Sequence, residues 1–177
     1  IGDQGNVQYG NNTRQRYARW TGSAWIYEKV KYSYFYPQAT SSVYIVGLPG
    51  WINTYKCPGG NCDLGADDLL SCIAFVYDAN TTYSYTPTAG RLTVERTLTR
   101  FAGDNYTDPQ FSDTRYNYDD WGNRIQTTRY TEEGTNDTIA TSQARTVTTC
   151  YGQASKPSGC VDDGYYSFVQ WEANAVG

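Results

Sequence analysis

The chain has 177 residues and a formal net charge of −4, with its 14 Lys and Arg scattered along it. This balance provides no basic patch and argues against a nucleic-acid partner. No apolar run approaches the roughly 18 residues needed to span a bilayer, and the absence of His excludes His-based nucleophilic triads. The length fits a single domain, residues 1–177. The chain begins at Ile1 and contains no Met, which indicates a processed product or an internal piece of a longer protein, and we expect the internal piece because both ends of the sequence look cut.

The composition predicts β structure. There are 18 Tyr and 5 Trp beside many Thr, and these residue types favour a pleated, half-exposed surface. Runs with helical spacing are missing, and the nearest candidate, residues 63–74, is short and contains a Gly, so we expect at most one helical turn there. We predict an all-β fold of antiparallel β-hairpin repeats that form a twisted sheet, without substantial helix.

Alternating residues predict about ten strands, separated by turn residues as in consecutive hairpins. Residues 42–49 are more continuously apolar and predict an inner strand, which Gly47 and Pro49 end. In residues 91–101 the alternation places Arg96 on the same face as apolar side chains. The clearest runs are residues 31–36, 42–49, 51–56, 72–78, 91–101, 114–119, 124–130 and 138–152.

The cysteines fall into two groups, and their spacing lacks the paired units of a zinc site. We therefore predict disulfides formed in an oxidising compartment, with five reduced thiols as the alternative. In the second group a disulfide would close a loop rich in Gly, Pro and Ser, whereas the first group allows Cys57–Cys62 or Cys57–Cys72 and leaves one thiol over. The candidates are Cys57, Cys62, Cys72, Cys150 and Cys160.

Four N-x-S/T sequons lie in turn-like sequence and predict N-glycosylation. They begin at Asn11, Asn80, Asn105 and Asn136. Together with the predicted disulfides, they indicate an extracellular or cell-surface location.

The stretch RYNYDDWGNRI, residues 115–125, reads as a hairpin with a decorated turn. Tyr116 and Tyr118 share one face and can stack on the next hairpin. Asp119 can accept backbone N–H bonds across the turn. Gly122 supplies a positive φ, and Asn123 tolerates one.

The same pattern recurs in the chain, which indicates an internal repeat. Tyr77 and Asp78 are followed, after an insertion, by Gly90, and Tyr151 begins a weaker third copy in which Gly152 replaces the aspartate. Irregular spacing around a retained pattern is typical of loop insertions in a β array.

On these residues the chain resembles the RHS/YD-repeat family, whose signature is Tyr-x-Tyr-Asp, two residues, then Gly-Arg/Asn and an aliphatic residue. The resemblance implies that β-hairpins wind into a hollow shell around a toxin or cargo domain, or form part of a cell-surface adhesion protein. The repeats of this family perform no chemistry and contact neighbouring repeats. The family's self-cleavage motif, Asp-Pro-x-Gly, is not matched by residues 108–111, so we do not expect self-cleavage here.

Three catalytic or metal-binding alternatives are weaker. The acids of residues 61–68, or Asp119 with Asp120, lack the ligand spacing of a calcium-binding EF-hand. The adjacent pairs at residues 132–133 and 162–163 point apart in turns, whereas glycoside hydrolysis needs facing carboxylates. Nothing near the leftover thiol would activate it. We therefore expect no enzyme, no cofactor and no metal.

Two further functions remain open. A fibre or adhesin subunit would join neighbouring repeats or identical copies by strand pairing, and we place it second after the shell segment. A carbohydrate-binding module would stack sugar rings on exposed aromatic residues, and we place it third, with Trp121 expected to be exposed. The tryptophans concerned are Trp20, Trp25, Trp51, Trp121 and Trp171.

Overall fold

The computed structural model describes one antiparallel sheet of nine strands and a separate ribbon of two strands. The described residues are 11–36, 38–39, 44–45, 47–62, 65–80, 87–103, 106–152, 160 and 168–174. The strands are β1 (Arg14–Trp20), β2 (Trp25–Phe35), β3 (Gln38–Ala39), β4 (Tyr44–Ile45), β5 (Pro49–Lys56), β6 (Leu69–Tyr77), β7 (Leu92–Phe101), β8 (Pro109–Tyr118), β9 (Arg124–Gly134), β10 (Ala144–Cys150) and β11 (Trp171–Asn174). The predicted all-β fold of antiparallel hairpins is confirmed.

The strands of the large sheet follow one another in chain order. The order is β1-β2-β5-β6-β7-β8-β9-β10-β11, and every neighbouring pair is antiparallel. The ribbon of β3 and β4 belongs to the connection between β2 and β5. Consecutive hairpins therefore build the whole sheet, with β1 and β11 as its two edges.

One predicted strand is wrong. We expected residues 42–49 to form an inner strand, but Tyr44–Ile45 pairs only within the small ribbon, and Pro49 begins β5. Gly47, which we expected to end this strand, has a φ of +82°, outside the extended region. The described residues include two short 3₁₀ turns, Pro58–Gly60 and Ala66–Asp68, and the second is the single turn expected near residues 63–74.

The best buried side chains lie on one face of the sheet. Val76 pairs with Val94, and Trp51 pairs with Ala74, so each pair shares that face. Val76 is completely buried, and Ala74 and Val94 are nearly so. The opposite face has more polar side chains, and two of them, Thr97 and Ser112, are exposed.

Two disulfides staple connections of the sheet. Cys57–Cys62 closes the loop after β5, which selects one of the two predicted pairings, and Cys150–Cys160 joins the end of β10 to the following segment. Cys72 is the free cysteine. Within the part of the chain that the structure describes, no helix is long and apolar enough to cross a membrane.

Candidate functional site

The Tyr-Asp turn between β8 and β9 is organised by one buried carboxylate. Asp119 is only 2% exposed. Its Oδ1 accepts hydrogen bonds from the backbone N–H groups of Trp121 and Asn123, both at 2.9 Å, and its Oδ2 accepts one from the Asn123 side chain at 2.9 Å. A buried carboxylate with several donors fixes the turn, because losing it would leave those donors unpaired.

The backbone of this turn requires glycine. Gly122 has a φ of +90°, and a Cβ added there would meet no atom within 4 Å. The conformation, and not lack of space, therefore selects glycine. The Asp119 N–H donates to the Asn123 carbonyl at 3.0 Å, and the Gly122 N–H donates to the Asp119 carbonyl at 3.2 Å.

The second Tyr-Asp turn, between β6 and β7, has the same frame around a longer connection. Asp78 Oδ2 accepts N–H bonds from Thr88, Ala89 and Gly90 at 2.7, 2.9 and 3.2 Å, and Oδ1 accepts the Arg91 N–H at 2.8 Å. Partial burial alone would raise the pKa of Asp78, but these four backbone N–H bonds lower it below its ordinary value. The carboxylate therefore ties residues 88–91, at the end of the connection, to the end of β6.

The two turns also correspond in register. A register shift falls between Asn117 and Tyr118, and another falls between Val76 and Tyr77. In each case the tyrosine pairs with the second residue after the turn glycine. The aspartate N–H donates to the carbonyl of the residue directly after the turn glycine, at 3.0 Å for Asp119 and at 2.8 Å for Asp78. The two turns thus share this register and this backbone hydrogen bond, although Asp78 has a φ of +57° and Asp119 does not have a positive φ.

A third turn with this geometry joins β2 to β5, and sequence reasoning missed it. Phe35 pairs with Pro49 across a register shift, and Tyr36 donates its N–H to Leu48 at 3.0 Å. Gly47, two residues before Pro49, is the positive-φ glycine. Tyr36 occupies the place of the aspartate, so the Tyr-Asp signature is absent, and only the Gly two residues before the returning strand could have indicated the turn.

Tyrosine hydroxyls join these turns from one hairpin to the next. The Tyr118 hydroxyl donates to the Leu92 carbonyl at 2.8 Å, and the Tyr77 hydroxyl donates to the Pro49 carbonyl at 3.0 Å. Leu92 and Pro49 are both the second residue after the turn glycine of the preceding hairpin. Burial raises the pKa of both tyrosines, so the hydroxyls stay protonated donors. We call this pair of bonds the tyrosine ladder.

The end of β10, which the sequence predicts as a weaker third copy, is organised differently. Gly152 has a φ of +81°, and the Gln170 N–H donates to the Cys150 carbonyl at 2.7 Å. Gly152 stands at the position of the aspartate, so this position offers the turn no carboxylate, and the Cys150–Cys160 disulfide joins the end of β10 to the following segment instead. Residues 153–159 and 161–167 lie outside the described residues.

A buried ion pair that sequence reasoning did not predict fixes the connection between β9 and β10. Arg96 Nε lies 2.8 Å from Asp113 Oδ1, and the Asp113 side chain is completely buried. The same guanidinium donates to the carbonyls of Thr135 and Thr138 at 2.7 and 2.9 Å, and Asp113 accepts the Ala140 N–H at 2.8 Å. The ion pair and these hydrogen bonds compensate for the removal of both charges from water.

The free thiol lies beside a small groove on the same face. The groove measures about 240 Å³ and is lined by Trp51, Asn53, Cys72 and Phe101 among others, below the roughly 300 Å³ typical of small-molecule sites. Burial raises the pKa of the Cys72 thiol, and the nearby Arg96 opposes this only in part. A thiol with a raised pKa is a poor nucleophile at neutral pH.

Several of the described carboxylates are engaged in structural contacts. Glu133 bonds Arg100 and Thr99, which lowers the pKa of Glu133. Glu132 bonds Ser142, and Asp68 lies 3.5 Å from the Lys56 amine. Among the described residues, no three acids, cysteines or histidines come together as metal ligands. Asp63, Asp162 and Asp163 lie outside the described residues.

The sequons and tryptophans occupy varied environments. Asn136 is exposed, Asn11 is half-buried, and the Asn80 side chain donates to the Tyr77 carbonyl at 2.9 Å. Asn105 lies outside the described residues. Trp121 is 60% exposed, which confirms the prediction for that residue. Trp20 and Trp25 are also exposed, whereas Trp51 and Trp171 are half-buried.

Comparison of the chain with protein-family models, with curated proteins and with solved structures finds no match.

Proposed function

We propose that this chain is a non-catalytic structural segment of an extracellular β-hairpin array of the RHS/YD-repeat type, either a shell or a surface protein. The observation that carries the proposal is the tyrosine ladder. Each Tyr-Asp turn is framed internally by its aspartate and tied externally to the hairpin before it. A motif that holds one hairpin to its predecessor is useful only in a succession of hairpins.

The edges of the sheet support an array that extends beyond these residues. Among the strands that the structure describes, β1 and β11 are the edge strands, and six of the seven residues of β1 are exposed. An open edge of this length is a template for pairing with another strand. We infer that further hairpins of the same protein, or identical copies, cover these edges.

The extracellular location is supported by covalent chemistry. Two disulfides staple the chain, and such bonds persist in oxidising compartments. The exposed sequon at Asn136 is compatible with a glycan on the folded protein.

The chemistry of the described residues supports a role without catalysis. The turn aspartates are saturated with N–H donors, Glu133 is paired, and the free thiol has a raised pKa. Catalytic carboxylates and thiols have the opposite character, with free lone pairs or a stabilised thiolate.

Electron microscopy and intact-mass measurement of natively isolated material test the proposal. A closed hollow particle of much larger mass is the expected result. A regular filament built from units of this mass would favour the second candidate, a fibre or adhesin subunit, for which the open edge strands are the supporting observation. Compact monomers of this mass would contradict both.

A further inference from the structure

Five positively charged side chains lie on the hairpin of β1 and β2. Antiparallel pairing brings two separated basic runs of the sequence together on one hairpin, with Arg14 and Arg16 on one face and Lys29 and Lys31 on the other. The cations are Arg14, Arg16, Arg19, Lys29 and Lys31. With Glu28 the hairpin carries five cations and one carboxylate, and since the whole chain has a net charge of −4, the rest of the chain has −8.

Aromatic rings and guanidinium groups alternate along one face of this hairpin. The Arg14 guanidinium lies 5.4 Å from the centre of the Tyr32 ring, and that of Arg16 lies 5.0 Å from the centre of the Tyr27 ring. Toward the turn, the rings of Trp20 and Trp25 lie 5.4 Å apart. The register places all of these residues on one face. We call this row the aromatic strip, and it extends about 20 Å along β1.

The tryptophans of the aromatic strip are exposed, and its two arginines form no ion pair with any residue that the structure describes. Trp25 is 67% exposed and Trp20 is 51% exposed. Within the described part of the chain, no carboxylate lies within 4.0 Å of the Arg14 or Arg16 guanidinium. The guanidinium groups are thus stacked and oriented, with donors left for a ligand.

The disulfide loop after β5 braces the hairpin. β5 pairs with β2 only from Lys29 onward, so residues 25–28 extend beyond it. There the Cys57 N–H donates to the Glu28 carbonyl at 2.9 Å, and Gly60 packs so closely on Ile26 that an added Cβ would lie 3.2 Å from its methyl group. An isolated two-stranded hairpin is marginal in water, so this brace makes the aromatic strip a fixed surface.

We propose that the aromatic strip binds an acidic polysaccharide, one whose sugar rings bear carboxylate or sulfate groups. Exposed tryptophan faces offer apolar stacking surfaces for sugar rings, with polar edges that stay wet. The arginines present paired donors that match carboxylate and sulfate oxygens. A single-stranded nucleic acid uses related contacts, and the choice of polysaccharide rests on the extracellular location proposed above.

Binding of the 177-residue chain to polygalacturonic acid tests this proposal. Affinity electrophoresis and tryptophan fluorescence measure it, with dextran as the neutral polymer. The variant Arg14→Gln/Arg16→Gln is expected to bind at least about tenfold more weakly, because it removes two charge-assisted contacts. The control Arg129→Gln/Arg145→Gln removes the same charge from a directly opposed, exposed pair on β9 and β10, and should change affinity less than about twofold.

Two further variants keep the test decisive. Trp25→Ala leaves the charge unchanged and is expected to weaken binding about tenfold if sugar rings stack there. If the double variant does not fold, Arg16→Lys retains the charge but removes the forked donor geometry, and about a threefold loss is expected.

Several results would overturn the proposal. These are equal losses in both double variants, equal retention by dextran, and equal affinity for a single-stranded oligonucleotide. Self-association that depends on Arg14 and Arg16, without polyuronate binding, would assign the surface to a second copy of the chain instead. None of these binding measurements depends on particle shape. The polysaccharide proposal can therefore be contradicted while the proposed structural function stands, and the structural function can be contradicted while polysaccharide binding stands.

Discussion

The turns at Asp119 and Asp78 have the same frame but differ in length and burial. Two residues lie between Asp119 and its glycine, whereas eleven lie between Asp78 and Gly90. Both aspartates close the turn through the residue after the glycine, and both follow a tyrosine that bonds the preceding hairpin. The comparison teaches that the motif specifies the two ends of a connection and leaves the length between them free.

Burial, and not the number of hydrogen bonds, should decide how much each aspartate contributes. Asp78 accepts four backbone N–H bonds, but the donors at Thr88 and Ala89 are exposed and can bond water instead. Asp119 accepts two backbone bonds and one side-chain bond in a turn where it is almost completely buried. Donors left unpaired away from water cost more than donors that water reaches.

The largest effect is therefore expected from Asp119→Ala. Its loss should lower the free energy of unfolding by about 3 kcal/mol, since the Trp121 and Asn123 N–H groups lose their acceptor. Urea unfolding followed by tryptophan fluorescence measures the change. Asp119→Asn keeps one acceptor oxygen and should cost less. A smaller effect from Asp119→Ala than from Asp78→Ala would contradict the argument from burial.

Asp78→Asn is expected to cost about 1–2 kcal/mol at pH 7, a value reduced because solvent screens this partly exposed group. Hydrogen bonds lower the pKa of Asp78 in the folded protein, so its contribution is present above the unfolded pKa of about 3.9 and is lost as the pH falls through the lower, folded pKa. Urea unfolding of both proteins from pH 7 to pH 2.5 should show the difference shrinking only below about pH 4. A difference that stays constant to pH 2.5 would show that the carboxylate charge is not involved.

Gly122→Ala tests the backbone of the short turn alone. Open space surrounds the missing Cβ, so the expected cost of about 1 kcal/mol comes only from the positive φ. Gly22→Ala in the turn between β1 and β2 is a matched control, because Gly22 also has a positive φ and open space. Thermal or urea unfolding should give similar losses, and a loss at Gly122 several times larger would indicate a contact that the structure does not contain.

The smallest effects are expected for the tyrosine ladder. Tyr118→Phe and Tyr77→Phe remove one hydroxyl each and should each cost about 0.5–1 kcal/mol. Tyr77 is 4% exposed and more deeply buried than Tyr118, so its loss should be the larger. Urea midpoints of the two single variants measure this difference, and Tyr116→Phe serves as the control for general loss of a tyrosine hydroxyl. A larger effect at Tyr116 would show that the ladder bonds are not the hydroxyl contacts that matter.

The sequence predicts the architecture because strand and turn signals are local. Alternating residues and turn glycines identify the hairpin of β8 and β9 correctly. The cysteine spacing predicts the Cys150–Cys160 loop, but it leaves two pairings open for Cys57, of which the structure contains Cys57–Cys62. The bounds of the strands are predicted less accurately than their existence. For example, β6 begins at Leu69, three residues before the predicted run of residues 72–78, because Leu69 still pairs with Tyr55.

The features that sequence reasoning missed depend on register across strands. Arg96 meets Asp113 only because β7 and β8 pair directly opposite at those residues. The basic hairpin likewise results from the pairing of β1 with β2. The turn at Tyr36 lacks the aspartate by which the other two are recognised, so only its backbone geometry reveals it.

Hydrogen exchange tests most directly the central claim that each Tyr-Asp turn is coupled to the hairpin before it. Amide exchange is compared between the wild-type protein and Asp119→Ala, with Asp120→Ala, an exposed neighbour, as the control. The account predicts faster exchange in residues 118–124 and also at the start of β7 around Leu92, with β1 and β2 unchanged. Faster exchange confined to residues 118–124 would contradict the coupling and leave the motif a turn that acts only on its own hairpin.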